Sequence, residues 1–190
     1  FTNSRVMDYN AHIRVIRGLP PEYIVGDTVV FAKPYMSSSF HISADREAVI
    51  KAVGDRIQSA GYEEIFADHL PIEYREYEFS TTLNANAARI TIKVALDPDR
   101  LSRAMKYFAG AKNWPAYFDL KNDFADIRGK DSCTVYKTQG GTLETVFMDL
   151  GNIGTSYDAA QVARMLFVGV SRATTRVFFF GRLPYKYIGV

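Results

Sequence analysis

The chain has 190 residues, 47% of them hydrophobic and 14% aromatic, with 23 Lys and Arg against 21 Asp and Glu. That composition describes a globular chain with one sizeable core or two small ones, and a formal net charge of +2 excludes nucleic-acid binding by bulk charge, so such a role must rest on local placement of cations. A single cysteine, Cys133, excludes an internal disulfide, offers no CxxC or Cys/His metal spacing and fits a reducing compartment.

No run approaches the roughly 18 apolar residues of a membrane span, and the start lacks the charged-then-apolar layout of a signal peptide. A soluble cytoplasmic chain is therefore expected, with no membrane partner. The sequence opens on Phe1 without an initiator Met, like a strand end entering a helix, and reads as a piece of something longer. From about Arg5 to Arg17, Val6, Tyr9, Ile13 and Ile16 recur at helical spacing; Asn3 or Ser4 can cap the start and Gly18 can end it. "TVVFAKPY" reads as a β segment closed by Pro34, and "AVIKAV" is taken as a strand although a helix also fits. "EYREYEFSTTL" and "ARITIKVAL" predict an antiparallel hairpin turning at "NANA". Asp97-Pro98 opens a helix carrying Leu101, Met105 and Phe108, and "NWPAYFDLKNDFADIR" adds a second amphipathic stretch. After Ser132 the order is strand ("CTVYK"), Gly-rich bend, strand ("TVFMDL"), helix ("DAAQVARMLFVGVSRA") and strand ("RVFFF"). This alternation predicts an α/β layer with strands buried on both faces, joined by the opening helix and split by an all-β insertion.

Several residue sets point to no chemistry. His12, His41 and His69 share no ligand spacing, so no metal site is expected. Ser156 and Ser171 lack partnered His and Asp. Trp114, Tyr117 and Phe118 fall at helical spacing, which favours core packing over a base-stacking platform. No G-x-x-x-x-G-K-[ST] occurs, nor an acidic strand end of the Walker B kind.

The order of motifs resembles a known family. "CTVYKTQGGTLETVFMDLGNI" is similar to motif V of superfamily 1 helicases and "RMLFVGVSRA" to motif VI; "FTNSRVMDYN" resembles motif IV. "WPAYFDLKNDFADIR" resembles the segment before motif V in the RecD/Pif/Dda branch, and the likeness is greatest to Dda-like phage helicases. The resemblance implies a second RecA-like domain of the P-loop NTPase type, residues 1–22 and 110–190, interrupted at 23–109 by an SH3-like β accessory insertion with a following helix. It implies the C-terminal motor half of an ATP-dependent DNA helicase, active in DNA replication and moving on single strands, 5′ to 3′ in the Dda-like manner, and inactive as an ATPase alone. ATP and Mg²⁺ would be held mainly by an N-terminal RecA-like domain. Single-stranded and fork DNA would be partners, with an ssDNA-binding or replication protein as a further one, in the host cytoplasm if phage-encoded. Two other readings stay open: an SH3-like protein- or ssDNA-binding module without catalysis, and a RecD-like subunit of a helicase–nuclease complex.

Residue by residue, the resemblance makes Arg172 the catalytic arginine finger against the γ-phosphate, where a fixed planar charge stabilises phosphoryl transfer. A surface Arg at a helix end is the alternative. Gln139, Gly140 and Thr142 would line the same nucleotide edge. Asn3 and Arg5, in the motif IV stretch, would touch DNA or nucleotide phosphate, unless they serve only capping and solvation. Thr134, Tyr136, Lys137 and Thr138 would bind DNA, since a bend at Gly140-Gly141 brings backbone N–H groups and these side chains to a sheet edge where phosphate oxygens can be met. The alternative is a plain turn whose glycines relieve a positive φ. Tyr136 departs from the family's usual His; it can stack on a base but has no second ring nitrogen, and half-buried strand packing is its other reading.

Overall fold

The computed structural model describes residues 2–37, 39–59, 71–83, 86–138 and 141–187. Phe1, His69, Asn84-Ala85 of the expected hairpin turn, and Gln139 and Gly140 of the expected nucleotide edge lie outside the described residues. The chain divides into two compact units, residues 1–17 with 131–190, and residues 18–130. The expected domain boundaries lie after residues 22 and 109, whereas the compact units divide after Arg17 and after Lys130, residues 110–130 packing and pairing with the unit of residues 18–130.

In that unit, β1 (Thr28–Phe31), β4 (Glu47–Ser59), β5 (Ile72–Leu83), β6 (Asn86–Ala95) and β7 (Ile127–Gly129) form one sheet in the order β6-β5-β4-β1-β7. Neighbours are antiparallel, as in Tyr77↔Ile92 and Val29↔Gly129. The β-branched and aromatic residues of these segments alternate sides, and the inward set, Val29, Phe31, Ile50, Tyr77, Phe79 and Ile92, is almost fully buried. Short strands β2 (Tyr35–Met36) and β3 (His41–Ile42) pair separately. α2 (Pro98–Gly110) starts as expected, with the Asp97 carboxylate accepting from Arg100 N at 2.8 Å and Pro98 in the first turn. It packs with α3 (Trp114–Asp123) in a second cluster of Ile72, Ala95, Ala104, Phe108, Leu120 and Phe124. That cluster and the β1–β7 pairing hold residues 110–130 in this unit.

The other unit begins with α1 (Asn3–Ile16), capped by the Thr2 hydroxyl, which accepts from Arg5 N at 3.4 Å, rather than by Asn3 or Ser4. Its buried face is Val6, Asn10 and Arg14, whereas Ile16 of the expected apolar stripe is 71% exposed. The reason is polar. Asn10 Oδ1 accepts from Ser132 N at 2.9 Å and its Nδ2 donates to Ser132 O at 3.2 Å, so both backbone groups of Ser132 are satisfied by one buried amide. The same contact explains why "CTVYK" is not the expected strand. The residue just before it is tied to α1, and the segment itself then turns: residues 135–138 form a 3₁₀ turn, with Lys137 N donating to Thr134 O at 3.0 Å.

β8 (Leu143–Asp149) and β9 (Ala173–Phe180) pair in parallel, Val146↔Val177 and Phe147↔Phe178, with α4 (Leu150–Ile153) and α5 (Ala159–Val170) in the crossover. One face of the pair, through Met148, Val146 and Val177, packs on Val162 and Met165 of α5. The expected burial on both faces does not hold, since Phe147 is 69% and Phe178 45% exposed, their rings stacked at 5.1 Å. A single crossover helix covers one side of two strands. After α4, buried Gly154 admits the Pro184 ring so closely that a β carbon there would lie 2.3 Å from Pro184 Cδ. Gly154→Ala is expected to destabilise this unit by about 1–3 kcal/mol through overpacking, read as a lowered urea midpoint with an unchanged slope.

Candidate functional site

The helix start, the end of β8 and the end of α5 surround one cavity of about 420 Å³ in the unit of residues 1–17 and 131–190. Arg5, Tyr9, Asp131, Cys133, Asp149 and Arg172 bring polar atoms to its lining, and Ile13, Leu143, Phe147 and Phe180 bring apolar ones. Two of the expected phosphate-binding residues, Arg5 and Arg172, thus line the same cavity although 167 positions separate them.

Arg172 follows the last turn of α5, where the Ser171 hydroxyl donates to Val168 O at 2.9 Å. Its guanidinium donates to Ser171 Oγ from Nε at 3.4 Å and from Nη2 at 3.3 Å, and to Gly141 O from Nη1 at 3.5 Å. All three bonds are long, and among the described residues no carboxylate pairs with this cation. A forked donor set loosely steered by neutral oxygens keeps its affinity for an oxyanion. Its own carbonyl accepts from Leu143 N at 2.8 Å, which ties the end of α5 to the start of β8.

Arg5 is held differently. Its Nε lies 3.6 Å from Asp149 Oδ2, its Nη1 3.8 Å from Asp8 Oδ2, and its guanidinium stands 5.0 Å from the Tyr9 ring centre. The Tyr9 hydroxyl donates to the same Asp149 Oδ2, and Asp149 Oδ1 accepts from Asn152 N at 3.0 Å. Asn152 in turn exchanges bonds with Thr2, accepting from its N–H at 3.0 Å and donating to its hydroxyl at 3.3 Å. Asp149 is therefore the hub that ties the start of α1 to the β8–α4 corner. Burial pushes its carboxyl pKa up, but the Tyr9 hydroxyl, the Asn152 N–H and Arg5 outweigh burial and hold it below the ordinary value. The Tyr9 hydroxyl pKa is raised, first by burial and then by its hydrogen bond to Asp149, with Arg5 opposing. Neither Tyr9 nor Asp149 was among the expected site residues. The helical spacing assigns Tyr9 to an apolar face and the run "TVFMDL" assigns Asp149 to a strand; Asp149 ahead of Leu150-Gly151-Asn152 is the cap pattern that points to it.

The other expected residues are dispersed. Asn3 sits in the first turn of α1, and Thr134, Tyr136 and Lys137 fall in or beside the 3₁₀ turn, outside the cavity lining. Tyr136 is 40% exposed, away from the half-buried strand position considered for it. Lys137 and Thr142 are exposed, and Thr138 closes the turn. No group of three or more His, Cys, Asp or Glu with metal-binding geometry occurs among the described residues, and no helix among them is long and apolar enough to cross a membrane.

Likenesses to known proteins cover nearly the whole chain weakly and much of its last third more specifically. Among solved structures, the Pif1 helicase from Candida albicans aligns with 93% of this chain and 38% of its own, at 14% identity and a TM-score of 0.35. The chain thus spans well under half the length of that protein. No curated protein matches. Residues 132–180, which supply Asp149, Arg172 and the β8–α5–β9 crossover, match the family model of the UvrD-like helicase C-terminal domain, so this part of the chain is similar to the C-terminal half of superfamily 1 helicases.

Proposed function

We propose that the chain is the C-terminal motor half of an ATP-dependent superfamily 1 DNA helicase of the RecD/Pif/Dda branch, moving along single-stranded DNA from 5′ to 3′. The observation that carries this reading is the convergence of Arg5 and Arg172 on one cavity, the second of them within the segment similar to the UvrD-like helicase C-terminal domain. ATP is the substrate in this reading, and its γ-phosphoryl group passes to water. Arg172 supplies a planar charge to the transferring group from the end of a packed helix, and Arg5 adds a second cation from the start of α1. In this reading Thr142 serves the same nucleotide edge, for which Gln139 and Gly140 are also expected from the resemblance to motif V. The lysine and the carboxylate that hold the β- and γ-phosphates and Mg²⁺ in such motors belong to a P-loop domain, so the unit described here acts only against a partner domain. DNA phosphates meet Thr134, Lys137, Thr138 and Asn3, and Tyr136 offers a ring to a base. Units 1–17 with 131–190 and 18–130 correspond in this reading to the RecA-like domain and its SH3-like accessory insertion.

The experiment is binding of a single-stranded oligonucleotide by the chain, measured across a salt series. Affinity is expected to fall steeply with salt, because each neutralised phosphate contributes about 0.7 to the log–log slope of a single strand. Lys137→Ala is expected to weaken binding and flatten the slope by about that one increment. Salt-independent binding, or a slope untouched by the substitution, counts against this surface.

A further inference from the structure

The α2–α3 hairpin carries an aromatic stripe with no role in the site described above. On α3, Trp114, Tyr117, Phe118 and Lys121 recur at i, i+3, i+4 and i+7, which confines them to a stripe about 100° wide. Ala116 and Leu120, on another side of the helix, pack into the cluster with Phe108 and Phe124. Of the stripe, Tyr117 is half-buried against that cluster, whereas Trp114 is 51% and Phe118 48% exposed, against the packing expected from their spacing. Tyr117 stands edge-on to both, at 5.9 Å from Trp114 and 5.2 Å from Phe118. The Lys121 ammonium lies 5.6 Å from the centre of Phe118 and 6.0 Å from that of Tyr117. Among the described residues neither Lys121 nor Lys112, two positions before Trp114, meets a carboxylate. The acids of α3 lie off the stripe, and Asp123 is engaged by Lys93 at 3.0 Å.

We propose that this stripe is a stacking platform for the unpaired bases of a single-stranded nucleic acid, with Lys121 and Lys112 neutralising its phosphates. The choice of occupant follows from charge. Exposed rings alone would suit an apolar protein segment equally, but rings flanked in the chain by two ammonium groups that meet no carboxylate among the described residues, with no carboxylate on the stripe, match a polymer that repeats a π-face and a negative charge at every unit. The inference rests on the nucleic-acid reading above and adds to it a second contact surface, on the inserted unit.

Trp114 is the chain's only tryptophan, so its emission reports on this surface alone. A thymidine oligonucleotide carrying a dye is titrated into the chain, with dye anisotropy giving total binding and Trp114 emission giving occupancy of the stripe. Binding is expected to quench Trp114 saturably at low salt, and added salt to reverse the quench. Phe118→Ala is expected to weaken binding about fivefold or more, from the loss of one stacked base, and Lys121→Ala to weaken it and flatten the salt dependence. Both side chains are exposed, and unchanged circular dichroism checks that the fold is intact. Lys137→Ala should reduce total affinity but leave the quench at saturation unchanged. If the oligonucleotide binds by anisotropy while Trp114 emission and the Phe118→Ala affinity stay unchanged, the platform is overturned and the nucleic-acid reading stands. Absence of any anisotropy change overturns both. Quenching by an apolar helical peptide but not by the oligonucleotide overturns the proposal in favour of a protein-docking face.

Discussion

Replacing Arg172 by Ala, in a polypeptide that joins this chain to a P-loop domain, is expected to lower ATP turnover by about 10³–10⁵, the range found for arginine fingers in other nucleotide hydrolases. The size follows from what is lost. The guanidinium is steered only by Ser171 Oγ and Gly141 O through bonds of 3.3–3.5 Å, so it contributes little to the fold and retains its capacity for an oxyanion. Thermal stability and nucleotide-free DNA binding should therefore stay near wild type while ATPase and unwinding fall together. Arg172→Lys should rescue poorly, because an ammonium keeps the charge and loses the fork. Steady-state ATPase alongside a thermal melt separates the outcomes, and a variant that keeps most of its turnover, or fails only by unfolding, makes Arg172 structural.

The second large effect belongs to Asp149 and is one of stability. Its carboxylate accepts from Tyr9 and Asn152, faces Arg5, and is only 16% exposed. Removing such an acceptor from partly buried donors costs about 1.5–3 kcal/mol, and Asp149→Ala adds the loss of a helix cap, typically about 1 kcal/mol. The folded pKa lies below the ordinary value of 3.8. A depressed carboxyl pKa contributes stability in full above the unfolded value and loses it as pH falls through the folded one. Asp149→Asn, which keeps an acceptor and removes the charge, is thus expected to be less stable than wild type near neutrality, with the gap closing as the pH drops below 3.8. Urea denaturation at several pH values checks this; a gap that persists undiminished in acid would show that the charge of Asp149 contributes nothing.

Where local signals and tertiary partners agree, the sequence was readable. Asp97-Pro98 opens α2, the runs before and after "NANA" pair as β5 and β6, and the helical spacing of "AAQVARMLFVGV" yields α5, because each is set by a cap, a pleat period or a stripe that its own neighbours satisfy. The misreadings share a cause, namely that propensity does not reveal what an element will meet. "CTVYK" has strand-forming residues, yet Asn10 takes the backbone of Ser132 and the chain turns. The apolar pattern of α1 pointed to Ile16, whereas the buried face runs through Asn10 and Arg14, since a polar helix face can bury when its partners are polar. Trp114 and Phe118 lie at core-like spacing and are half exposed. At the candidate site, Arg5 and Arg172 stand out through motifs at opposite ends of the chain, while Tyr9 and Asp149, which hold Arg5 in place, lie inside the stretches similar to motifs IV and V without a role assigned there, and their pairing emerges only from the fold.

The most direct test of the motor-half reading is ATP hydrolysis, with and without single-stranded DNA, by the chain alone and by the chain joined to a P-loop domain. The chain alone is expected to show no turnover above blank, because Arg5 and Arg172 can only complete a phosphate site whose lysine and metal ligands lie elsewhere, and the joined protein to show DNA-stimulated turnover. Robust hydrolysis by a clean preparation of the chain alone, or none by the joined protein, would contradict it.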